Sequence, residues 1–207
     1  MLIGSDDLSL FAGYNNPDDD NAMGLSIENT SLAFALIRQE NSDDNRSWIS
    51  LKANTQKVSF IGIPGISTLS DSLGDFGVQL NLGFGDDAKS VAHFADNPLL
   101  VPTGGAFTSL DFDGTDGELI KMEGHVSFNI MDYVFMDGTF GFESSTETVH
   151  LKDGSQVETN LFAVSAVDIN IFAGTNGPAD NNDAVGLTLN HANVALALMN
   201  QIGRAHV

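Results

Sequence analysis

The 207-residue chain contains no cysteine, a single tryptophan and only 8 lysine and arginine residues. Without cysteine the fold has no disulfide, and thiol chemistry is excluded. Against the 8 basic residues stand 28 acidic ones, which gives a net charge of −20. A field of this sign repels nucleic acid and anionic membranes and attracts hydrated or divalent cations. No apolar run approaches the roughly 18 residues of a membrane-spanning helix, so we predict no membrane insertion.

The sequence motifs of common catalytic sites are also missing. The five histidines show no His-x-x-x-His or related ligand spacing. There is no Gly-x-Ser-x-Gly and no glycine-rich phosphate loop. Two of the 28 acids could form a pair for glycoside hydrolysis, but most of them lie in polar turns. We therefore expect no enzyme, with a fragment of a β-rich hydrolase as an alternative.

What the sequence does have is alternation of apolar and polar side chains with a period of two. Ile169 and Ile171 alternate with Asp168 and Asn170, which is typical of a half-buried β-strand. Further strands are predicted at Ser47 to Ala53, Lys57 to Ile63, Gly77 to Phe84, Phe107 to Phe112, Val126 to Ile130, Thr139 to Glu143 and Thr146 to Leu151. The nearest helical pattern, one or two turns, falls between Asp86 and Ala95. The fold class predicted is all-β.

Two further runs, residues 32–36 and 194–198, alternate large residues with alanine. This pattern predicts strands whose large side lies on a core and whose alanine side is closely covered. Between strands, Asp153-Gly154 predicts a hairpin with a tight two-residue turn. Asp137-Gly138 is either a second hairpin or a bulge within one longer strand, and we favour the bulge.

The chain also repeats itself. Residues 169–178 restate residues 8–17, with Pro17 and Pro178 offset by 161. Residues 184–189 and 194–199 restate residues 22–27 and 32–37 at an offset of 162. The acidic segment between these matches has thus changed length by one residue, as a surface loop tolerates and a packed strand does not. A repeat period of about 161 residues predicts a large modular protein.

The repeat divides the chain into four expected parts. Residues 1–7 are the end of a strand of a preceding element, 8–168 one full unit, and 169–201 the start of the next. Because no basic and apolar leader follows Met1, we expect it to be an internal methionine. Ile202 to Val207 resemble the translation of a common sequencing adapter, so we expect residues 202–207 to be an artefact.

One acidic segment is a candidate calcium site. Asp111, Asp113, Asp116 and Glu118 are spaced two or three residues apart around glycine turns, partly like an EF-hand loop. The closing position of such a loop falls on Met122, which supplies no carboxylate. The competing interpretation, which we favour, is a strand whose outward aspartates end in a glycine turn.

A second candidate is the loop at residues 15–21, with Asp18, Asp19 and Asp20, and its counterpart at residues 176–183. Asparagine, aspartate and proline favour turns without any ligand. The clustered carboxylates could also take calcium between adjacent units and stiffen an array. We favour the turn interpretation here as well.

The sole tryptophan, Trp48, follows Arg46 at the start of a predicted strand. An exposed tryptophan could stack on a sugar, but a lone one is more often a core or edge anchor.

Taken in order, several short motifs resemble the long repeats of very large bacterial surface proteins. They are Phe-Ala-Gly-x-Asn-x-Pro at residues 11–17, the Ala-Leu run near residue 35, the strand from Trp48 to Ala53, and Leu110 through Gly114 to Gly138 and Glu143. The resemblance covers about Leu8 to Met199. It implies a secreted, adhesin-like protein and an extracellular or cell-surface location. It carries no catalytic residue to this chain.

These observations together predict an elongated antiparallel sheet array, curled or sandwiched, with discrete β-sandwich domains as the alternative. The function predicted is a non-catalytic structural or adhesive repeat. Its partners are neighbouring repeat units and a cell-surface or carbohydrate target. The alternative is a module that binds a carbohydrate or an apolar ligand, the latter in a trough lined by Phe128, Phe140 and Phe142.

Overall fold

A computed structural model describes residues 1–40, 45–68, 76–85 and 90–201 of the chain. In this part the chain forms eleven strands and one short 3₁₀ turn at Gly114–Asp116. The strands are β1 (Leu2–Tyr14), β2 (Met23–Arg38), β3 (Ser47–Ile61), β4 (Ile66–Thr68), β5 (Phe76–Phe84), β6 (Leu99–Pro102), β7 (Phe107–Leu110), β8 (Leu119–Ile130), β9 (Val134–His150), β10 (Gln156–Thr175) and β11 (Val185–Gln201).

One antiparallel sheet dominates the structure. Its strand order is β1-β2-β3-β5-β8-β9-β10-β11, and the short β4 pairs with one end of β8. Strands β6 and β7 form a separate hairpin that contacts β1, β2 and β3. The all-β prediction is confirmed, and the described residues form one large antiparallel sheet with a small cover.

The core lies between the sheet and this cover. Ala33 and Ala35 of β2 are fully buried beneath Val101 of β6 and Leu110 and Phe112 of the β7 region. The small alanine side chains let the hairpin approach the sheet closely, as the alternating pattern predicts. The expectation for the large side of β2 is wrong. Leu32, Phe34 and Leu36 alternate onto the opposite face, where they are only half-buried.

Polar groups fasten the covering segment to the sheet. The indole Nε1 of Trp48 donates to the carbonyl of Ser90 at 2.7 Å. Asn81, almost fully buried, accepts from Ser50 Oγ at 2.9 Å and donates to the carbonyl of Ala92 at 2.8 Å. Trp48 is thus the anchor that its isolation in the sequence favours, and buried donors and acceptors here find the partners they require.

The strands are longer than the alternation predicts. The runs at 47–53 and 57–63 are one strand, β3, and the runs at 139–143 and 146–151 are one strand, β9. Residues 86–89 of the helical pattern lie outside the described residues, and residues 90–95 form no helix. Within the described ranges, no helix is long and apolar enough to cross a membrane.

Both glycine pairs lie where strands meet. The Asp153-Gly154 hairpin joins β9 to β10, but its turn is not the two-residue type. Gly154 N–H donates to Leu151 C=O, Leu151 N–H donates to Ser155 C=O, and Gly154 has φ +86°. This is the pattern of a type I turn followed by a glycine bulge.

Asp137-Gly138 lies within one continuous strand, as favoured above, but the bulge is on the partner strand. The register of β10 against β9 shifts between Val167 and Asn170, opposite Gly138. A Cβ on Gly138 would lie 3.0 Å from the Cα of Ile169, so the glycine makes room for the bulge.

Candidate functional site

The two segments that restate each other in sequence fold into hairpins at opposite ends of the sheet. Residues 2–38 form β1-β2, and the second half of β10 forms the equivalent hairpin with β11. Corresponding residues pair in the same register throughout. Examples are Gly13↔Gly24 beside Gly174↔Gly186, and Leu8↔Thr30 beside Ile169↔Ala192. Even the two register shifts recur at equivalent places.

The acidic loops at the tips of these hairpins are also built alike. Asn15 and Asn176 both have positive φ, +63° and +57°. Their side-chain amides donate to the carbonyls of Asn21 and Asp183, at 3.2 and 3.1 Å. These local hydrogen bonds account for the asparagine and aspartate content of both loops.

The backbone also locates the one-residue difference between the loops. Asp19 N–H donates to Asn16 C=O, and its counterpart Asn181 N–H donates to Pro178 C=O. Pro178 therefore takes the structural place of Asn16 rather than of Pro17, and the additional residue is Gly177.

The predicted calcium ligands of the first loop have local roles. Asp19 accepts from the backbone N–H of Asn21 at 2.8 Å, and the N–H of Asp18 donates to the side chain of Asn16 at 3.2 Å. The side chains of Asp18, Asp19 and Asp20 are exposed.

The second set of predicted ligands is separated by the turn after β7. Asp111 forms an ion pair with Lys52 of β3 at 3.0 Å. Asp113 caps the 3₁₀ turn by accepting from Thr115 N–H at 3.0 Å, and it lies 3.2 Å from the Nδ1 of His93. Glu118 lines a shallow cleft beside β8, and the side chain of Asp116 is outside the described part.

The electrostatics of Asp113 follow from this cap. Hydrogen bonds from the backbone and side chain of Thr115 lower the pKa of Asp113 below its ordinary value, with a smaller contribution from His93. Among the described residues, no group of three or more His, Asp or Glu side chains is arranged to hold a metal ion. The turn interpretation explains the observed contacts, and calcium binding stays a prediction.

Sequence spacing gave no sign of three histidine–aspartate pairs. They are His93 with Asp113, His125 with Asp137, and His191 with Asp168. In the last two the members lie on neighbouring strands, 12 and 23 residues apart in sequence, so only the sheet register reveals them.

The histidine pair on β8 and β9 also has a hydroxyl near it. His125 Nε2 lies 2.9 Å from Asp137, and Thr139 Oγ1 lies 3.5 Å from His125 Nδ1. A contact of 3.5 Å is at the outer limit of a hydrogen bond, so the hydroxyl is poorly placed for proton transfer. Among the described side chains, the buried polar ones are serine, threonine and asparagine, and no described carboxylate is buried.

The sheet face opposite the cover is apolar. The uninterrupted register of β8 with β9 places Phe128, Phe140 and Phe142 on this one face, together with Met122. Phe142 packs edge-on against Phe162 of β10, with ring centroids 4.9 Å apart. An open cleft of about 610 Å³ lies nearby, lined by Phe135, Phe172, Pro178 and residues around them.

Comparison with known proteins returns no match of any kind. No family model, no curated protein and no solved structure matches this chain.

Proposed function

We propose that this chain is a non-catalytic structural or adhesive repeat of a large extracellular bacterial surface protein. In such a protein the units form an elongated array that holds a functional part away from the cell. The observation that carries the proposal is the shared register of the β1-β2 and β10-β11 hairpins at opposite ends of one sheet. A self-contained domain has no need to build the same hairpin at both edges, whereas a repeat must.

The charge supports a role in the extracellular environment. A net charge of −20 keeps neighbouring molecules apart and favours hydration of a long, exposed array. Stability without disulfides is then supplied by the long strands and by the cover over β2. The partners of the proposed repeat are its neighbouring units and a cell-surface or carbohydrate target.

Long-read sequencing of the source locus tests this function. We expect the reading frame to continue through further units of about 161 residues, towards a secretion signal and an anchor. Antibodies against the unit should then label intact cells. A frame that closes soon after Gln201 without further copies, or labelling only after lysis, would contradict the proposal.

The apolar face supports a second candidate, a module that binds an apolar ligand. Phe128, Phe140 and Phe142 share this face, and part of it is exposed. Titration with the uncharged dye Nile red tests it, because a binding module gives saturable fluorescence that Phe142→Ser abolishes. Phe107→Ser is the matched control, since Phe107 is 66% exposed and lies in the separate β6-β7 hairpin. Weak, non-saturating fluorescence in all three proteins would reject the ligand-binding candidate.

A further inference from the structure

Strand β11 is an edge strand with an exposed row of apolar side chains. Leu187, Leu196 and Leu198 are 76%, 52% and 56% exposed. Within the described residues, only β10 pairs with β11, so its outer backbone edge is open. Such an edge is a template for another strand.

The restated hairpin shows what covers the same residues elsewhere in the molecule. Strand β2, the counterpart of β11, pairs with β3 along almost its whole length, from Gly24↔Ile61 to Arg38↔Ser47. Beside β3, the counterparts of Leu196 and Leu198, which are Phe34 and Leu36, are only half-exposed. Because the two hairpins have one register, the partner of β2 indicates the partner that β11 lacks.

We propose that the open edge of β11 binds the strand equivalent to β3 in a second copy of this unit, so that one sheet runs on through successive repeats. This inference rests on the proposed repeat function and specifies how the units join. The offset of 162 transfers the register directly: Leu198 lies opposite Ile49 of the next copy, Leu196 opposite Leu51, and Gly186 opposite Ile61.

The other edge of the sheet is complementary in the same way. Strand β1 restates the second half of β10, and β10 pairs with β9 on its other side. In an array, the hairpin β10-β11 of one unit therefore stands in the place of β1-β2 for the next. Each added unit contributes six strands to the continuous sheet, namely β3, β5, β8, β9, β10 and β11.

Two substitutions between the hairpins limit what transfers. Ser165 stands in the place of Gly4, where a Cβ would lie 2.3 Å from the carbonyl oxygen of Pro102. The covering hairpin of the next copy must therefore lie farther from β10 than β6-β7 does from β1. Asn190 stands in the place of Glu28, so the ion pair of Glu28 with Lys57 has no counterpart. Strand pairing transfers, and these two contacts do not.

A two-unit chain tests the predicted register. Residues 1–200 are followed directly by residues 39–201 of a second copy, so that β11 leads into a new β3. The natural sequence has no cysteine, so an introduced pair has no competing thiol. The test pair is L198C with I49C of the appended copy. The positive control is L36C with I49C in the single unit, where these residues pair directly.

A register control uses L196C with I49C of the appended copy. It keeps the same face but displaces the pair by two residues. We expect the test pair to form a disulfide about as fast as the positive control. The displaced pair should react roughly tenfold more slowly, because diagonal neighbours lie ~7–8 Å apart, beyond disulfide reach.

A test pair that reacts no faster than the displaced pair, while the positive control forms, would overturn the inference. The units would then be separate beads, and a repeat function would still stand if the locus encodes further copies. Amide hydrogen exchange of the cysteine-free two-unit chain is the second measurement. It must show slower exchange along residues 185–200 than in the single unit, and unchanged exchange there would also overturn the inference.

Discussion

Ala35 and Ala197 occupy equivalent positions in two hairpins of the same register, yet Ala35 is fully buried and Ala197 is exposed. Ala35 pairs with Leu2, and Ala197 pairs with Ala163. The difference arises because only the first hairpin has β3 at its side and the β6-β7 hairpin above it. The same local sequence pattern therefore has two environments in one molecule.

The first prediction uses this pair of alanines. Ala35→Leu should lower the free energy of unfolding by about 1–3 kcal/mol, because the added methylene groups overpack a closely covered site. Ala197→Leu adds the same atoms at an exposed site and should change it by less than about 0.5 kcal/mol. Urea denaturation of both variants measures the difference. Equal losses in the two would mean that the cover does not distinguish the hairpins.

The second prediction concerns acid. Hydrogen bonds from Lys57 and then Ser26 lower the pKa of Glu28 below its ordinary value of 4.5. A lowered folded-state pKa stabilises the protein at pH values above 4.5, and this contribution disappears as the carboxylate is protonated at lower pH. Glu28→Gln should therefore lower the melting temperature at neutral pH and have no effect near about pH 3.

Glu158→Gln is the control for this prediction, since Glu158 is exposed and has no described partner. Its difference from the natural protein should be small at both pH values. The account of the Lys57 pair would fail if Glu28→Gln and Glu158→Gln behaved alike across the titration.

The strand content could be predicted from the sequence, but the length of the strands could not. Alternation identifies a half-buried strand only where one side is apolar, and segments such as Asn54 to Gln56 in β3 have polar residues on both sides. Ladder hydrogen bonds continue through them regardless of side-chain pattern. The face that holds the core was also misassigned, because alternation shows that two faces differ and not which one is covered.

The third prediction is that charge controls association through the exposed edges. At low salt the net charge of −20 should keep the protein monomeric, because repulsion reaches about 30 Å at ~0.01 M ionic strength and only about 3 Å at ~1 M. Dynamic light scattering should therefore show the hydrodynamic radius growing with salt. Leu196→Lys places a charge on the β11 edge and should suppress this growth. Growth that is identical in the variant would mean that association does not use this edge.

The fourth prediction concerns calcium. Asp111 is paired with Lys52, and Asp113 is held by Thr115, so neither is a free ligand in the observed arrangement. We expect millimolar calcium and magnesium to raise the melting temperature equally, by screening alone, and a chelator to have no further effect. A rise specific to calcium that Asp113→Asn or Asp19→Asn removes would show a site and overturn the turn interpretation.

The acidic turns illustrate what sequence can and cannot say about a site. The spacing of Asp111 and Asp113 is visible in the sequence, and so is the preference of such residues for turns. The ion pair of Asp111 with Lys52 joins residues 59 positions apart, so only the register of the sheet and the fold of its cover bring it together. The histidine–aspartate pairs across β8-β9 and β10-β11 were missed for the same reason.

Small-angle X-ray scattering of one-, two- and three-unit chains tests the central claim, an elongated array of repeats in a continuous sheet. Six strands per unit at ~4.8 Å spacing predict that each added unit lengthens the particle by about 29 Å at constant cross-section. Separate globular beads of this size would add about 40 Å each, plus any linker. An increment near 29 Å supports the array; an increment of 40 Å or more, or compact growth in all directions, contradicts it.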